Sequence, residues 1–150
     1  MEKFIYNNIE INANIHEVWD ALTNPEKTKI YMFGCAAISE WTPGSSLNWN
    51  AIVEGKEMCY VKGHIVKNYP PIHLSYTVFD PNSTMEDKPE NYLTVTYDLE
   101  KISDDVTLFK VTQGDYSLVD DGERRYNESY NHGDGWNPIL IAVKNLVEAK

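Results

Sequence analysis

Apolar and polar residues alternate over much of the chain, and a period of two is typical of β-strands with one buried face. The clearest example is YLTVTYDLEKI, whose alternating apolar positions are Leu93, Val95, Tyr97 and Leu99. Asp104 and Asp105 then turn the chain, and VTLFKVTQG brings it back with Thr107, Phe109 and Val111 on one side. The pattern therefore predicts two strands joined by a turn.

Earlier segments carry the same pattern. FIYNNIEINA predicts an opening strand, whose apolar positions are Phe4, Tyr6, Ile9 and Ile11. After a turn at Pro43 and Gly44 comes another strand, with apolar positions at Leu47, Trp49 and Ala51. A turn at Glu54 and Gly55 leads into a long return strand. The prolines of NYPP end that strand, and IHLSYTVF begins the next, which has on one face Leu74, Tyr76 and Val78.

Two short helices are predicted between the opening strand and the hairpins. The first is indicated by apolar residues at helical spacing, which are Ile15, Val18, Trp19 and Leu22. Asn14 is a suitable N-cap for it, with Glu17 as the capping-box partner. Asn24 precedes Pro25 as a cap precedes a first-turn proline, which predicts a second helix over residues 26–31.

The rest of the chain is less regular. Residues 80–91 are polar and contain two prolines, so they predict an exposed loop, and residues 115–135 show no regular pattern. Helical spacing returns in the last segment, where the apolar positions are Trp136, Ile139, Leu140, Val143, Leu146 and Val147. A C-terminal helix reaching Lys150 is therefore predicted, with Pro138 in its first turn.

The predicted order is one strand, two short helices, about six antiparallel strands and a long helix. The length of 150 residues matches one domain, so residues 1–150 are predicted to fold as a single unit. The order is that of an α+β fold in which the final helix covers the concave face of the sheet. A deeply curved sheet closed by one helix leaves a cavity between them.

Composition narrows the choice of partners. The formal net charge is −10 and only 13 residues are Lys or Arg, so binding to nucleic acid or to an anionic membrane surface is not expected. The N-terminal segment lacks the basic and apolar stretches of a signal peptide, and no run approaches the ~20 apolar residues of a membrane-spanning helix. A cytoplasmic protein without membrane insertion is predicted.

Residue types that carry catalysis are scattered. His16, His64, His73 and His132 show no metal-binding spacing, and Cys35 and Cys59 form no CxxC motif. The two cysteines are predicted to be buried and reduced. No motif of a Ser or Cys nucleophile is present, so the sequence predicts no catalytic residue, metal site or cofactor. Either Arg124 and Arg125 offset the acidic turn at residues 120–123, or they flank a cavity mouth and receive an acidic head group.

The aromatic residues are the most informative set. Five lie on predicted strands and one begins the final helix, so they can converge on one interior; with Leu140 of that helix, the predicted cavity residues are Trp49, Tyr60, Tyr76, Tyr97, Phe109, Trp136 and Leu140. A filled core is the alternative, because aromatic side chains also dominate packing. The excess of Tyr favours a mostly apolar pocket with a few placed polar groups.

Several phrases along the chain resemble one family. They are IHEVWDALTNP at residues 15–25, WTPG at 41–44 with Leu47, Asn48 and Trp49, Gly63 with Ile65 and Val66 before Pro70-Pro71, Leu74 with Tyr76 and Thr77, and Gly135-Trp136. Their order and spacing resemble the START-like (SRPBCC) superfamily, in the branch of Aha-type activators of the heat-shock protein 90 ATPase. The resemblance implies the helix-grip fold. Many members of the family have His where this chain has Gln113.

Three functions remain open at the level of sequence. The aromatic strands and the resemblance favour a binding domain that encloses a small hydrophobic or aromatic molecule between the sheet and the C-terminal helix. The resemblance also implies a co-chaperone-like stimulator of a heat-shock protein 90 homologue. Related folds catalyse cyclase- or hydrolase-like reactions in the same cavity, but no acid/base pair can be assigned in this sequence, so a non-enzymatic role is favoured.

Overall fold

A computed structural model describes residues 2–149, which form one seven-stranded antiparallel sheet and four α-helices. The strands are β1 (Ile5–Ile11), β2 (Ala36–Ser39), β3 (Ser46–Val53), β4 (Lys56–Tyr69), β5 (His73–Val78), β6 (Leu93–Ser103) and β7 (Val106–Gly114). The helices are α1 (Ile15–Thr23), α2 (Pro25–Tyr31), α3 (Gly122–Tyr130) and α4 (Asn137–Glu148). This is the predicted α+β helix-grip fold.

The strands lie in the sheet almost in the order in which they occur along the chain. Its strand order is β1-β7-β6-β5-β4-β3-β2, so strands β2 to β7 form an uninterrupted meander and β1 pairs with the last of them. Sequential hairpins explain this order, because turns such as Glu54-Gly55 and Asp104-Asp105 join neighbouring strands directly. The predicted strands are confirmed, and β2, which no alternation marked, is an additional one at the sheet edge.

The two short helices begin as the sequence predicts. The Asn14 side chain accepts a hydrogen bond from the His16 N–H at 2.9 Å, and the Asn24 side chain accepts one from the Glu26 N–H at 3.0 Å. Each cap satisfies a backbone donor that the first helical turn leaves unpaired. Pro25 occupies the first turn of α2, where its missing N–H costs nothing.

The segment between the sheet and the final helix is more ordered than predicted. Helix α3 covers residues 122–130, where the sequence pattern indicated no regular structure. None of its residues is fully buried, so it lacks the apolar stripe by which a helix is recognised in a sequence. Helix α4 follows after a break and ends at Glu148, while its predicted end at Lys150 lies outside the described residues.

The core lies between the concave face of the sheet and helices α1 and α4. Alternate residues of β6 and β7 face it as predicted, and they are Leu93, Val95, Tyr97, Leu99, Thr107, Phe109 and Val111. In β1 the residues of odd number face inward, because Ile5 and Ile11 are buried and Ile9 is partly buried. Tyr6 is exposed, and so is Phe4, which precedes the strand.

Gly63 sits where β4 passes close to its neighbour. A Cβ atom at this position would lie 1.7 Å from the backbone oxygen of Thr77, so no other residue fits without a shift of the backbone. A bulge follows between Ile65 and Lys67, and bulges increase the bend of a strand. Glycine at this position therefore permits the close approach of the two strands.

Candidate ligand cavity

A cavity of about 760 Å³ lies beside the core, between the middle of the sheet and the N-terminal end of α4. Strands β3 to β7 supply one wall. The opposite wall comes from α3, from the first turn of α4 and from the loop after α2. Apolar and aromatic side chains dominate the lining, and they include Met32, Phe33, Trp49, Ala51, Val61, Val78, Phe79, Met85, Leu93, Val95 and Ile139.

The predicted cavity residues divide into two groups. Four line the cavity, and they are Trp49, Tyr60, Tyr76 and Trp136. Tyr97, Phe109 and Leu140 are fully buried in the neighbouring core and do not line it. The division arises because α4 presses its middle part onto the sheet, so that only its first turn leaves open space.

The two groups touch through ring contacts. Tyr97 packs edge-on against Tyr76, Phe109 and Trp136, at centroid distances of 5.3, 5.3 and 6.1 Å. Trp49 lies 6.0 Å from Tyr76 on the cavity side. Edge-to-face packing of this kind favours a defined arrangement of rings over a mobile one. The aromatic residues therefore form a rigid cavity wall.

A pair of hydroxyl groups lies within this aromatic wall. The hydroxyl oxygens of Tyr76 and Tyr97 are 2.6 Å apart, and among the described residues each has no other hydrogen-bond partner. Burial raises the pKa of both phenols, so both stay protonated at neutral pH. Two hydroxyls that share one hydrogen bond leave one O–H hydrogen for another acceptor. Tyr76 lines the cavity but is only 1% exposed, so the hydroxyl pair lies within the cavity wall.

Two side-chain hydrogen bonds hold the start of α4 over the cavity. The Asn7 side chain accepts from the backbone N–H of Trp136 at 2.9 Å, and the Gln113 side chain accepts from the Trp136 indole N–H at 2.8 Å. Asn7 belongs to the edge strand β1 and Gln113 to its neighbour β7. Gln113, the position that differs from many family members, thus positions the indole ring at the cavity wall.

The cavity mouth contains charged residues from α3. The Arg124 guanidinium donates to Asp121 and, at 2.8 Å, to Glu128. Arg125 is half-buried and donates to the backbone oxygen of Asn91 at 3.1 Å and to the sulfur of Met85 at 3.4 Å. Burial lowers the pKa of the Arg125 guanidinium. The two adjacent arginines therefore have different environments.

Several lining residues were missed at the level of sequence. Glu128 and Ser129 of α3 were missed because the helix itself was not predicted, although its Arg124 and Arg125 were named as alternatives for the cavity mouth. Lining residues within 80–85 were missed because a polar loop gives no periodic signal. Phe33 is 84% exposed at the rim and has a positive φ of 54°. Cys35 is buried at the wall, and burial raises the pKa of its thiol. Cys59, predicted to be buried, is only partly so.

Neither a metal-binding cluster nor a membrane-spanning helix is found in the part of the chain that the structure describes. No group of three His, Cys, Asp or Glu residues there could hold a metal ion. Over the same residues no helix is long and apolar enough to cross a membrane.

Solved structures share this architecture. The solution structure of a protein from Cytophaga hutchinsonii is 32% identical, with a TM-score of 0.74 over 99% of this chain and 96% of that one. The Aha1 dimer from Colwellia psychrerythraea is 16% identical, with a TM-score of 0.69 over 98% and 97%. CalU16 from Micromonospora echinospora is 16% identical, with a TM-score of 0.66 over 99% and 78%. The last two likenesses show the fold alone.

Family membership rests on nearly the whole chain. No curated protein matches the sequence. The family model described as "Activator of Hsp90 ATPase homolog 1-like protein" matches residues 12–148, from the end of β1 to the end of α4. That span contains both short helices, the meander and the closing helix. The chain therefore belongs to this family, the Aha-type branch of the START-like superfamily.

Proposed function

We propose that this protein binds a small, mostly apolar and aromatic molecule in the cavity between the sheet and the start of α4. The observation that carries the proposal is the cavity itself, whose volume of about 760 Å³ lies within the ~300–1,000 Å³ typical of small-molecule sites. A core filled by its own side chains has few voids larger than a water molecule. The aromatic residues therefore serve as a wall around open space.

The lining supports an aromatic ligand in particular. Trp49, Tyr76 and Trp136 are among the lining residues, and rings prefer offset or edge-on contact with other rings. Tyr60 and Ser129 add hydroxyl groups to the lining, and these can donate a hydrogen bond to a carbonyl, ether or hydroxyl oxygen of the ligand. A few placed polar groups in an apolar pocket are what orients a bound molecule.

Native mass spectrometry of the purified protein, followed by a thermal-shift screen with apolar aromatic compounds, tests the proposal. We expect a retained or added mass at a ratio of one molecule per chain and a melting temperature that rises with ligand concentration. Ala51→Phe, which places a ring in the cavity, should abolish both effects. Ile102→Phe, at an exposed site on β6, is the matched control and should retain them. Absence of binding across the screen would overturn the proposal.

A second candidate function is stimulation of a heat-shock protein 90 homologue. The family model that matches residues 12–148 carries the description of such an activator, and this favours the second candidate. The direct test is the ATP hydrolysis rate of a bacterial heat-shock protein 90 homologue with and without this protein. A rate increase that saturates at a fixed molar ratio would support the second function. An unchanged rate at a large excess of this protein would exclude it for that homologue.

A further inference from the structure

We infer that the ligand carries a carboxylate, which Arg125 binds at the cavity mouth, and that the ligand class is an organic acid with an apolar body. This inference rests on the proposed function and specifies its ligand. Arg125 lines the cavity from α3, opposite the apolar strands. A cation at one end of an apolar space matches a molecule that is charged at one end and apolar along the rest of its length.

The contrast between the two neighbouring arginines carries the inference. Arg124 is exposed and already paired with Asp121 and Glu128. Arg125 is half-buried, and within residues 2–149 no carboxylate lies at salt-bridge distance from it. Its two partners are a backbone oxygen and a sulfur atom, both uncharged. A partly desolvated guanidinium without a counter-ion is costly, and a ligand carboxylate would supply that counter-ion in a bidentate pair.

Other polar groups lie near Arg125, at the corner of the cavity that α3 forms. Ser129, one helical turn from Arg125, also lines the cavity and offers a hydroxyl donor. The Tyr116 hydroxyl is fully buried behind this corner, outside the cavity lining, and Ser129 lies near it. Burial raises the pKa of Tyr116, while Ser129 and the Arg125 guanidinium act in the opposite direction. Of these groups, only the Ser129 hydroxyl lines the cavity together with the Arg125 cation.

The acidic residues at the cavity mouth do not cancel the attraction of Arg125 for a ligand carboxylate. Glu128 lines the cavity, but its carboxylate is paired with Arg124 at 2.8 Å. Asp80 is exposed, so water screens its charge, and it caps its own loop through the Asn82 N–H. Asp120 and Asp121 act on Arg125 only from beyond salt-bridge distance. The half-buried cation is less hydrated than these exposed acids, so water screens its charge less than theirs.

Calorimetric titrations of the full chain with matched probes test the inference. The first pair is 2-naphthoate and 2-naphthylmethanol, and the second is decanoate and 1-decanol, each below its aggregation limit at pH 7.5. We expect at least one acid to bind about tenfold more tightly than its alcohol, as a charge-assisted hydrogen bond implies. A preference for the acid in the first pair indicates an aryl acid as ligand, and a preference for the acid in the second pair indicates a fatty acid.

Variants of the two arginines identify the responsible group. Arg125→Gln should reduce the affinity for the acid by about tenfold and leave the alcohol within about twofold. Arg124→Gln combined with Glu128→Gln, which removes the neighbouring cation together with its acidic partner, is the control and should keep the acid preference. Arg125→Lys should keep part of it, because the charge remains but the bidentate geometry is lost. Should Arg125→Gln fail to fold, the Arg125 Nε–H signal of the wild-type protein decides, because it should shift on adding acid and not on adding alcohol.

The failures of the two proposals are distinguishable. Binding of acid and alcohol with equal affinity would overturn the carboxylate inference and leave the proposed function standing. An acid preference that survives in Arg125→Gln would overturn the role of Arg125. Absence of binding by all four probes would overturn the ligand class inferred here, and together with a negative compound screen it would overturn the proposed function.

Discussion

The hydroxyl oxygens of Tyr76 and Tyr97 lie 2.6 Å apart, on neighbouring strands, with both side chains almost fully buried. Both residues belong to the core and Tyr76 also lines the cavity, so this hydrogen bond lies at the boundary between core and cavity. Buried hydroxyls that satisfy one another rigidify a packed interior, whereas a single one left alone is costly. The pair therefore gives the cavity wall a defined geometry.

Removing one hydroxyl of this pair should lower the free energy of unfolding by more than half of the loss caused by removing both. Tyr76→Phe and Tyr97→Phe should each lower the free energy of unfolding by about 1–2 kcal/mol, because the remaining hydroxyl loses its partner. The double variant should lose about 1 kcal/mol less than the sum of the two. Urea unfolding of all four proteins measures the coupling. Tyr69→Phe, at an exposed position, serves as control, and additive losses would contradict the pairing.

Alkaline pH should destabilise the protein through its buried phenols. Burial is the main cause that raises the pKa of Tyr31, Tyr76 and Tyr97 in the folded state. Their contribution to stability is thus fully present below about pH 10, the pKa of Tyr in an unfolded chain, and is lost as the pH rises above it. Above about pH 10, each phenol should lower the free energy of unfolding by about 1.4 kcal/mol per pH unit. The three phenols together should lower it by about 4 kcal/mol per pH unit.

Absorbance at 295 nm and circular dichroism, recorded along one pH titration, test this expectation. The buried phenols should ionise only together with the loss of the circular dichroism signal, in one cooperative step. The chain contains ten tyrosines. Ionisation of all ten before any change in circular dichroism would show that these phenols are accessible in the folded state.

Gly63 should be among the least replaceable positions of the sheet. Gly63→Ala puts a methyl group 1.7 Å from the Thr77 oxygen and 2.4 Å from its carbonyl carbon, so strands β4 and β5 must move apart. A loss of about 3 kcal/mol or more in urea unfolding is expected. Gly44→Ala is the matched control, because Gly44 has open space around it and only a positive φ, worth about 1 kcal/mol. Equal losses in the two variants would contradict the close approach.

Much of the fold could be predicted from the sequence because its signals are local. Asn14 and Asn24 cap their helices as their positions before apolar or proline residues indicate, and the alternation in β6 matches its buried face. Helix α3 could not be predicted in this way, since none of its side chains is fully buried. A helix without an apolar stripe is recognised only when the surface it covers is known.

The candidate site was only partly predictable for a related reason. Alternation places Tyr76 and Tyr97 on inward faces, but it does not tell which inward residue meets open space and which meets α4. That distinction depends on where α4 begins, which the bonds from Asn7 and Gln113 to Trp136 determine. These contacts join residues more than 20 positions apart, so no local pattern encodes them.

Cys35 should report occupancy of the cavity. It lines the wall, and its raised pKa leaves little thiolate at neutral pH, so alkylation by iodoacetamide should be slow and should accelerate with pH. Saturation with a bound probe should slow it further, by about tenfold at roughly nine-tenths occupancy. Intact-mass measurements on Cys59→Ser isolate the reaction of Cys35, and Cys35→Ser gives the control rate of Cys59, which lies outside the lining. Protection of both cysteines alike would argue against binding in this cavity.

The four tryptophans provide the most direct test of a ligand-binding cavity. Trp49 and Trp136 line it, whereas Trp19 and Trp41 only pack against the core from outside. We predict that titration with apolar aromatic probes, among them 2-naphthylmethanol and 2-naphthoate, shifts the indole N–H signals of Trp49 and Trp136 saturably in ¹H–¹⁵N spectra. The signals of Trp19 and Trp41 should stay in place, and Ala51→Phe should suppress the shifts. Equal movement of all four signals, or no saturable movement with any probe, would contradict the account.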